Sequence, residues 1–168
     1  MAHNEVPSAV LSTLRRVEES LAKPDPAEAL EHLRHSVPDD PLLGNARGVC
    51  LMRLGRVRSA IELYRSFLLD EGTLILKSGL PTVFLANYAT ALLLDENLDG
   101  CLTLLDEASD ESHPSVARLR KAVATWRSGL RWWERLQFAL YGLVPHAVAL
   151  DFAPGELVIP ADVPVRAA

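Results

Sequence analysis

The most restrictive feature of this chain is a spacing of small and apolar residues that occurs three times. In each occurrence, a residue on one predicted helix is followed twelve positions later by a small residue and four positions after that by a larger apolar one. The three sets are Val17, Ala29 and Leu33; Gly48, Ala60 and Tyr64; and Ala89, Cys101 and Leu105. Two antiparallel helices approach closely only where a small side chain lies at their crossing, and the residue one turn further on fills the space beside it. The spacing therefore predicts three stacked helical hairpins.

Apolar residues at helical periodicity predict seven helices, with proline, glycine and acidic residues at the breaks. The predicted helices are 8–22, 26–36, 41–54, 57–70, 82–95, 98–109 and 114–141. Pro26 and Pro41 suit the first turn of a helix, and Gly55 suits the position just beyond a helix end. The last helix is the longest and carries an apolar stripe, as expected of a helix that covers the open end of a stack. The stripe comprises Val116, Leu119, Val123, Trp126, Leu130 and Trp133.

The intervals within the three sets resemble those of the tetratricopeptide repeat. The resemblance is clearest where Gly48, Gly55, Ala60 and Tyr64 occupy the family's glycine, turn-glycine, alanine and aromatic positions. The sets recur after 31 and 41 residues, whereas the family repeat is about 34 residues long, and the family's tryptophan position holds Gly44 in one repeat. The resemblance implies an all-α, tetratricopeptide-like solenoid of three repeats, with a long C-terminal capping helix and a short extended tail.

The chain accordingly divides into a helical repeat domain at 8–142, which includes the capping helix 114–142, and an extended C-terminal tail at 143–168. The tail contains 4 of the 11 prolines and has no helical period. Its segments 148–152 and 156–159 suit a small packed hairpin. A loose tail is the alternative, because two strands alone are only marginally stable.

An insertion at 71–81 accounts for the longer interval between the second and third sets. Leu74, Ile75 and Leu76 make this segment more apolar than a solvent-exposed loop, and we expect them to pack against neighbouring helices. The insertion is either a structured loop or a binding elbow at the edge of a groove.

Reactive motifs are not found in the sequence, which lacks a glycine-rich phosphate loop, a nucleophile elbow and an HExxH motif. His32 and His35 lie three residues apart without a cysteine or a paired acidic ligand, so no metal is expected. Cys50 and Cys101 fall inside predicted helices, and the position of Cys101 at a helix crossing predicts a buried, inert thiol. We therefore expect a protein that is not an enzyme and has no cofactor.

Charge and targeting signals restrict the partners and the compartment. The formal net charge is −5, which does not suit a nucleic-acid binder, because such proteins carry a basic footprint. The N-terminal segment has no signal-peptide pattern, no apolar stretch is long enough to span a membrane, and two cysteines do not make a disulfide framework. We expect a cytoplasmic protein that does not bind nucleic acid.

The resemblance also implies a concave groove, lined by the first helix of each repeat, that takes an extended peptide or a helix of a partner protein. Asparagine and arginine side chains there can hydrogen-bond a peptide backbone or a carboxylate. The candidate groove residues are Arg15, Asn45, Val49, Arg53, Asn87 and Thr90. Alternatively, the asparagines bond within the helices and the arginines are ordinary surface. The tail itself can also fill the groove of its own or another chain.

The capping helix carries a second candidate surface. Arg127, Arg131 and Arg135 recur every four residues and predict one cationic stripe, with Trp132 outside the apolar stripe. This stripe can face the acidic part of the same chain or of another copy, an acidic partner protein, or an anionic membrane surface. The expected function is a protein-interaction module, an adaptor, scaffold or chaperone-like protein. The alternative is a membrane- or assembly-associated structural protein that acts through this helix.

Overall fold

Eight helices follow one another along the part of the chain described by the structure, a computed structural model. The described residues are 6–34, 40–70, 72–108, 110, 112–141 and 147–160. The helices are α1 (Ser8–Ala22), α2 (Pro26–His32), α3 (Pro41–Arg53), α4 (Val57–Leu68), α5 (Thr82–Leu94), α6 (Leu98–Asp106), α7 (Pro114–Gly129) and α8 (Trp132–Tyr141). The predicted all-α class is confirmed.

The first six helices form three consecutive pairs, and each pair turns in the same way. In each turn a backbone N–H bonds back to a carbonyl five residues earlier, the 6→1 bond of a Schellman motif. The bonds are Asp25 N to Ser20 O, Arg56 N to Leu51 O and Asn97 N to Leu92 O, each 2.9 Å long. These turns recur after 31 and 41 residues, the same intervals that separate the three sequence sets.

Side-chain caps fix where several helices begin. Asp25 accepts hydrogen bonds from the backbone of the first turn of α2, Asp40 does the same for α3, and Asn97 does so for α6. These caps satisfy amide groups that have no partner within a helix. Pro26 and Pro41 occupy the first turns of α2 and α3, as predicted.

The small residues at the helix crossings are buried, as predicted. Ala60, Ala89 and Cys101 are each 0% exposed, and Gly48 is buried against Tyr64. A Cβ atom built on Gly48 would lie 2.5 Å from Cζ of Tyr64. The glycine therefore provides the space that the tyrosine ring fills between α3 and α4.

The core consists of two adjoining clusters. The smaller lies between α1, α2 and α3. The larger runs from α3 to α7 and includes five residues of the predicted capping stripe, four of them on α7 and the fifth directly after it. The five are Val116, Leu119, Val123, Trp126 and Leu130. The helix after the third pair therefore packs most of its predicted stripe against the larger cluster.

The predicted single helix 114–141 is wrong, because the chain breaks between α7 and α8. Leu130 adopts an extended conformation, directly after Gly129, which has a low helix propensity. The rings of Trp126 and Phe138 then meet edge to face with centroids 5.5 Å apart. Twelve residues of continuous helix would separate them by about 18 Å, so α8 folds back toward α7.

Hydrogen bonds from charged residues stabilise this break. Glu134 accepts a bond from the backbone N–H of Arg131 at the start of α8, and Arg135 donates to the carbonyls of Ser128 and Leu130 at the end of α7. One consequence concerns Trp133, which was predicted to continue the buried stripe. It is 39% exposed, so this prediction is wrong.

The insertion forms a narrow loop closed by an antiparallel bridge between Leu69 and Leu76. Leu76 is partly buried against the core, but Leu74 and Ile75 lie at the tip and are 78% and 65% exposed. The prediction that Leu74, Ile75 and Leu76 pack against helices is therefore wrong for Leu74 and Ile75. The backbone bonds between Asp70 N and Ile75 O and between Lys77 N and Leu68 O close the loop on itself.

The described part of the tail, 147–160, contains no strand and does not form the predicted hairpin. Its backbone bonds to side chains of the helices instead of to a second strand. Residues 143–146 and 161–168 of the predicted tail lie outside the described residues, as does His35. Among the helices that the structure describes, none combines the length and apolarity needed to cross a membrane.

Candidate functional site

The described tail lies across a groove formed by three helices, and we call this surface the tail groove. Its polar and apolar contacts come from α3, α5 and α7. The residues that meet the tail are Asn45, Val49, Met52, Arg53, Asn87, Ser115 and Arg118. Tail residues 154–160 are all partly buried, so the groove holds a segment of main chain rather than a single side chain.

Asn87 binds both main-chain polar groups of Glu156. Its Nδ2 donates to the carbonyl oxygen of Glu156, and its Oδ1 accepts from the N–H of the same residue, both at 2.8 Å. This is the pairing that a neighbouring β-strand would offer. The arrangement recognises an extended main chain regardless of its side chain.

Asn45 and Tyr64 hold Asn87 in this orientation. Asn87 Nδ2 also donates to Asn45 Oδ1 at 2.8 Å, and Tyr64 Oη donates to the same oxygen at 3.3 Å. Asn45 Nδ2 adds a 3.3 Å bond to the carbonyl of Glu156. Asn45 and Tyr64 are each 0% exposed, and a satisfied polar network in such a dry environment is rigid.

Burial affects the protonation of this network. It raises the pKa of Tyr64 far above its ordinary value, because the ionised phenolate would be desolvated there. Tyr64 therefore remains a hydrogen-bond donor at neutral pH. Its ring stacks on Tyr88 with centroids 5.9 Å apart, which fixes the position of the hydroxyl group.

Arg53 binds the two residues of the tail that precede Glu156. Its Nε donates to the carbonyl of Pro154 at 3.2 Å and its Nη2 to the carbonyl of Gly155 at 3.1 Å. Partial burial lowers the pKa of Arg53, yet a guanidinium remains charged in proteins. Arg53 thus extends the main-chain recognition by two further carbonyls.

Gly155 makes the closest apolar approach to the groove floor. A Cβ atom built on it would lie 2.7 Å from Cε of Met52 and 2.9 Å from Cγ2 of Val49. Its φ of +78° lies in the left-handed region that side-chain-bearing residues disfavour. Both the space and the backbone conformation therefore select glycine at this position.

The carboxylate of Glu156 is bound by α7. Ser115 Oγ donates to Glu156 Oε2, and Arg118 forms an ion pair with the same oxygen. The Arg118 guanidinium also lies 5.5 Å from the ring centre of Phe152. Because the side chains of Arg118 and Glu156 are 48% and 42% exposed, this ion pair adds selectivity for an acidic residue more than it adds stability.

The residues after Glu156 alternate between two sides. Leu157 and Ile159 pack on the cluster between α1, α2 and α3, whereas Val158 packs on the larger cluster. Such alternation is the signature of an extended chain. From Glu156 onward, the tail therefore occupies the groove as an extended peptide with apolar anchors on both sides.

Four of the six predicted groove residues contact the tail. Asn45, Val49, Arg53 and Asn87 all contact the tail. Thr90 lines the same region, but its hydroxyl donates to the carbonyl of Ala86 in its own helix. Arg15 lies on the exposed side of α1.

Two residues that bind the tail, Ser115 and Arg118, are not among the predicted groove residues. Both lie in the first turns of α7, which was predicted to be a cap. The only sequence signal for them is the excess of basic residues in this segment, opposite an acidic residue in the tail.

The predicted stripe of three arginines on one continuous helix is wrong, because the chain breaks between α7 and α8, but Arg127 and Arg135 still line one depression together with Phe138. Arg127 lies over the ring of Phe138 at 5.7 Å, and Arg135 caps the end of α7. Arg131 and Trp132 are exposed at the start of α8. Two of the three arginines thus stabilise the turn of their own chain.

The two thiols lie in the two clusters of the core, Cys50 in the smaller and Cys101 in the larger. Cys50 and Cys101 are free and buried, and burial raises their pKa values to about 11 and about 12. Both are therefore protonated at neutral pH, as an inert thiol requires. In the described part of the chain, no three His, Cys, Asp or Glu side chains cluster as a metal site would require. Comparison of this chain with family models, with curated proteins and with solved structures finds no match.

Proposed function

We propose that this chain is a protein-interaction module whose tail groove binds an extended peptide of a partner protein. The observation that carries the proposal is the set of side-chain bonds to main-chain atoms of residues 154–156. Bonds of this kind read the conformation of a peptide, and the apolar contacts on either side supply affinity. The role is that of an adaptor, scaffold or chaperone-like protein of the cytoplasm.

The proposed architecture is a solenoid of three tetratricopeptide-like repeats, formed by α1–α6 and capped by α7. The same 6→1 backbone bond after α1, α3 and α5 supports it, as does the burial of Gly48, Ala60, Ala89 and Cys101 at the crossings. In such a solenoid the first helices of the repeats line one surface. The contacts of α3 and α5 with the tail agree with this arrangement.

The proposal assigns no catalytic role to the groove. Its polar groups are two carboxamides, two guanidinium groups and one hydroxyl, and they bind main-chain atoms or one carboxylate. The two thiols are buried and protonated. These features favour recognition over covalent chemistry.

The test measures peptide binding by the full chain in the Gly155→Val background. This substitution opposes seating of the tail without changing a groove residue. Arrays of extended peptides are probed with this variant, with the same variant carrying Asn87→Ala, and with the same variant carrying Arg58→Ala. Arg58 is exposed and serves as the matched control.

We expect Asn87→Ala to weaken binding of the retained peptides at least ten-fold, because it removes two main-chain bonds, and Arg58→Ala to leave it unchanged. Circular dichroism establishes that all variants are folded. Equal binding by the Asn87→Ala and Arg58→Ala forms would contradict a role for the groove.

A second candidate function concerns α8. Trp132, Leu136 and Leu140 are 78%, 51% and 64% exposed, and their spacing of four residues puts them on one side of the helix. An amphipathic helix of this kind suits a lipid surface or an assembly partner. Flotation with anionic vesicles tests the lipid version. Trp132→Ser with Leu136→Ser should abolish flotation, whereas Leu74→Ser, at an equally exposed position, should not. A wild-type chain that does not float would contradict it.

A further inference from the structure

If the tail groove binds a partner peptide, as proposed above, the contacts of the tail also indicate which peptide sequence fits the groove and what competes with it. We propose that the partner presents an internal glycine–acidic–apolar sequence, with the glycine at positive φ and the residues after it extended, and that tail residues 152–159 are a built-in competitor for the same groove. The tail shows the chemistry of the ligand because it bonds with Asn45, Arg53, Asn87, Ser115 and Arg118.

The glycine requirement comes from the floor of the groove. A Cβ atom at Gly155 would lie within 3 Å of side-chain atoms of Met52 and Val49, which would have to shift, and the φ of Gly155 is +78°. A partner peptide that uses the bonds of Arg53 and Asn87 must place a residue in the same position. Any residue other than glycine there would meet both the steric contact and the unfavourable φ.

The acidic requirement comes from α7. Ser115 and Arg118 both donate to one carboxylate oxygen of Glu156. A neutral or basic residue at this position would leave Arg118 without its counter-charge. Charge at this point therefore selects among the many peptides whose backbone Asn87 can bind.

The position of the acidic group also sets the direction of the bound peptide. Glu156 is followed by Leu157 and Ile159, which pack on the α1–α3 cluster. The recognised acidic group is thus a side chain within a continuing chain, not a terminal carboxylate. The partner segment continues past its acidic residue with an apolar residue at the first and third following positions.

The tail competes with a partner peptide because it is covalently attached to the chain that forms the groove. The tail belongs to the same chain as the groove, so its effective concentration is of the order of millimolar. A partner peptide of equal intrinsic affinity must reach about that concentration to displace it. Strong binding therefore requires either release of the tail or a partner sequence that binds better than the tail.

The experiment uses a fluorescent synthetic peptide with the sequence of residues 150–160 and measures its anisotropy with full-length chains. We expect the Gly155→Val chain to bind this peptide at least ten-fold more tightly than the wild-type chain does, because its own tail no longer competes. The Glu156→Lys substitution should also weaken binding of the tail to its own groove, so this chain should likewise bind the peptide more tightly than the wild-type chain does. Hydrogen exchange of the folded variants verifies that α3, α5 and α7 remain protected.

Two substitutions in the synthetic peptide test the sequence requirement against the Gly155→Val chain. Changing the peptide residue equivalent to Glu156 to lysine, or the one equivalent to Gly155 to valine, should each weaken binding at least ten-fold. The lysine peptide should regain affinity for a Gly155→Val chain that also carries Arg118→Glu. A merely structural role of Arg118 would not produce this exchange of preference.

The results distinguish failure of peptide binding by the groove from failure of the sequence requirement or of competition by the tail. If the folded Gly155→Val chain binds partner peptides through Asn87 but wild type binds them equally well, competition by the tail is overturned and the groove function stands. If binding is strong but indifferent to the glycine and acidic positions, the sequence class is overturned. If no peptide binds any folded variant, the groove function itself fails.

Discussion

The side-chain amides of Asn45 and Asn87, 42 residues apart in the sequence, are joined by a 2.8 Å hydrogen bond beneath the tail. Asn45 Oδ1 also accepts from Tyr64, and both asparagines donate to the carbonyl of Glu156. Three helices and the tail thus share one buried polar network. Loss of Asn87 would leave the N–H of Glu156 without its acceptor and would remove one of the two donors to Asn45 Oδ1 and to the Glu156 carbonyl.

The first prediction follows from this network. Asn87→Ala should lower the free energy of unfolding by about 1–3 kcal/mol, the cost of leaving buried polar groups unsatisfied. Urea denaturation measures it. Hydrogen exchange of the Glu156 amide should also accelerate. Asn97→Ala is the control, because it removes one exposed helix cap at a cost of about 1 kcal/mol and should leave the Glu156 amide protected. Equal protection of that amide in both variants would count against the network.

A second prediction concerns the close approach of α3 and α4. Gly48→Ala should destabilise the protein by about 1–3 kcal/mol, because its Cβ would overlap the ring of Tyr64. Gly129→Ala provides the comparison, since nothing lies within 4 Å of the added atom. It should be neutral or stabilising by up to about 1 kcal/mol. Thermal and urea unfolding measure both, and a neutral Gly48→Ala would show that the crossing is not tightly packed.

The third prediction concerns the turns after α3 and α5. Gly55 has a φ of +71°, whereas the equivalent position after α5 holds Glu96 at +62°. A residue with a side chain is strained there by about 1–2 kcal/mol. Glu96→Gly should therefore stabilise the chain by about 1 kcal/mol, and Gly55→Ala should destabilise it by a similar amount. Urea denaturation should show that the free energy of unfolding rises for Glu96→Gly and falls for Gly55→Ala. Changes of the same sign would contradict this explanation of the two turns.

The fourth prediction concerns alkaline pH. Burial raises the pKa values of Cys50 and Cys101 from 9.0 to about 11 and about 12. In the unfolded chain these thiols ionise near their ordinary pKa, so their contribution to stability is complete below pH 9 and is lost as the pH rises through the folded values. Each group lowers stability by up to about 1.4 kcal/mol per pH unit in that range.

Urea denaturation between pH 7 and 10.5 measures this slope. A chain with Cys50→Ala and Cys101→Ala should show a smaller slope, although its stability at pH 7 is lower because of the cavities. The residual slope is expected from Tyr64, whose pKa is also raised by burial. Slopes that match between wild type and the double variant would contradict the assignment.

Much of the helical framework is predictable because its signals are local. Proline in a first turn, an aspartate cap and a glycine after a helix end each act within a few residues. The small residues at the crossings are also predictable, because their spacing repeats in the sequence. The break after Gly129 was missed, since the apolar stripe continues across it at helical spacing. Only the contacts of Arg135 and Phe138 reveal that α8 folds back.

Some residues of the candidate site were predictable from the sequence, and others were not. Asn45, Arg53 and Asn87 were identified from their register on the first helices, and all three bind the tail. Ser115 and Arg118 were missed, because they lie outside the repeated spacing and become a site only when Glu156 lies beside them. Leu74 and Ile75 were misjudged because apolar character alone does not tell whether a loop tip reaches a neighbour.

By itself, the sequence determined the all-α class, the positions of the first six helices and the small residues at their crossings, because these depend on periodicity and on interactions between near neighbours. The tertiary structure alone decided that the tail occupies the groove, with Glu156 bound between α5 and α7. That arrangement joins residues 69 and 41 positions apart. No local pattern encodes such a contact, because it depends on how the packed helices place Asn87, Ser115 and Arg118 around one peptide.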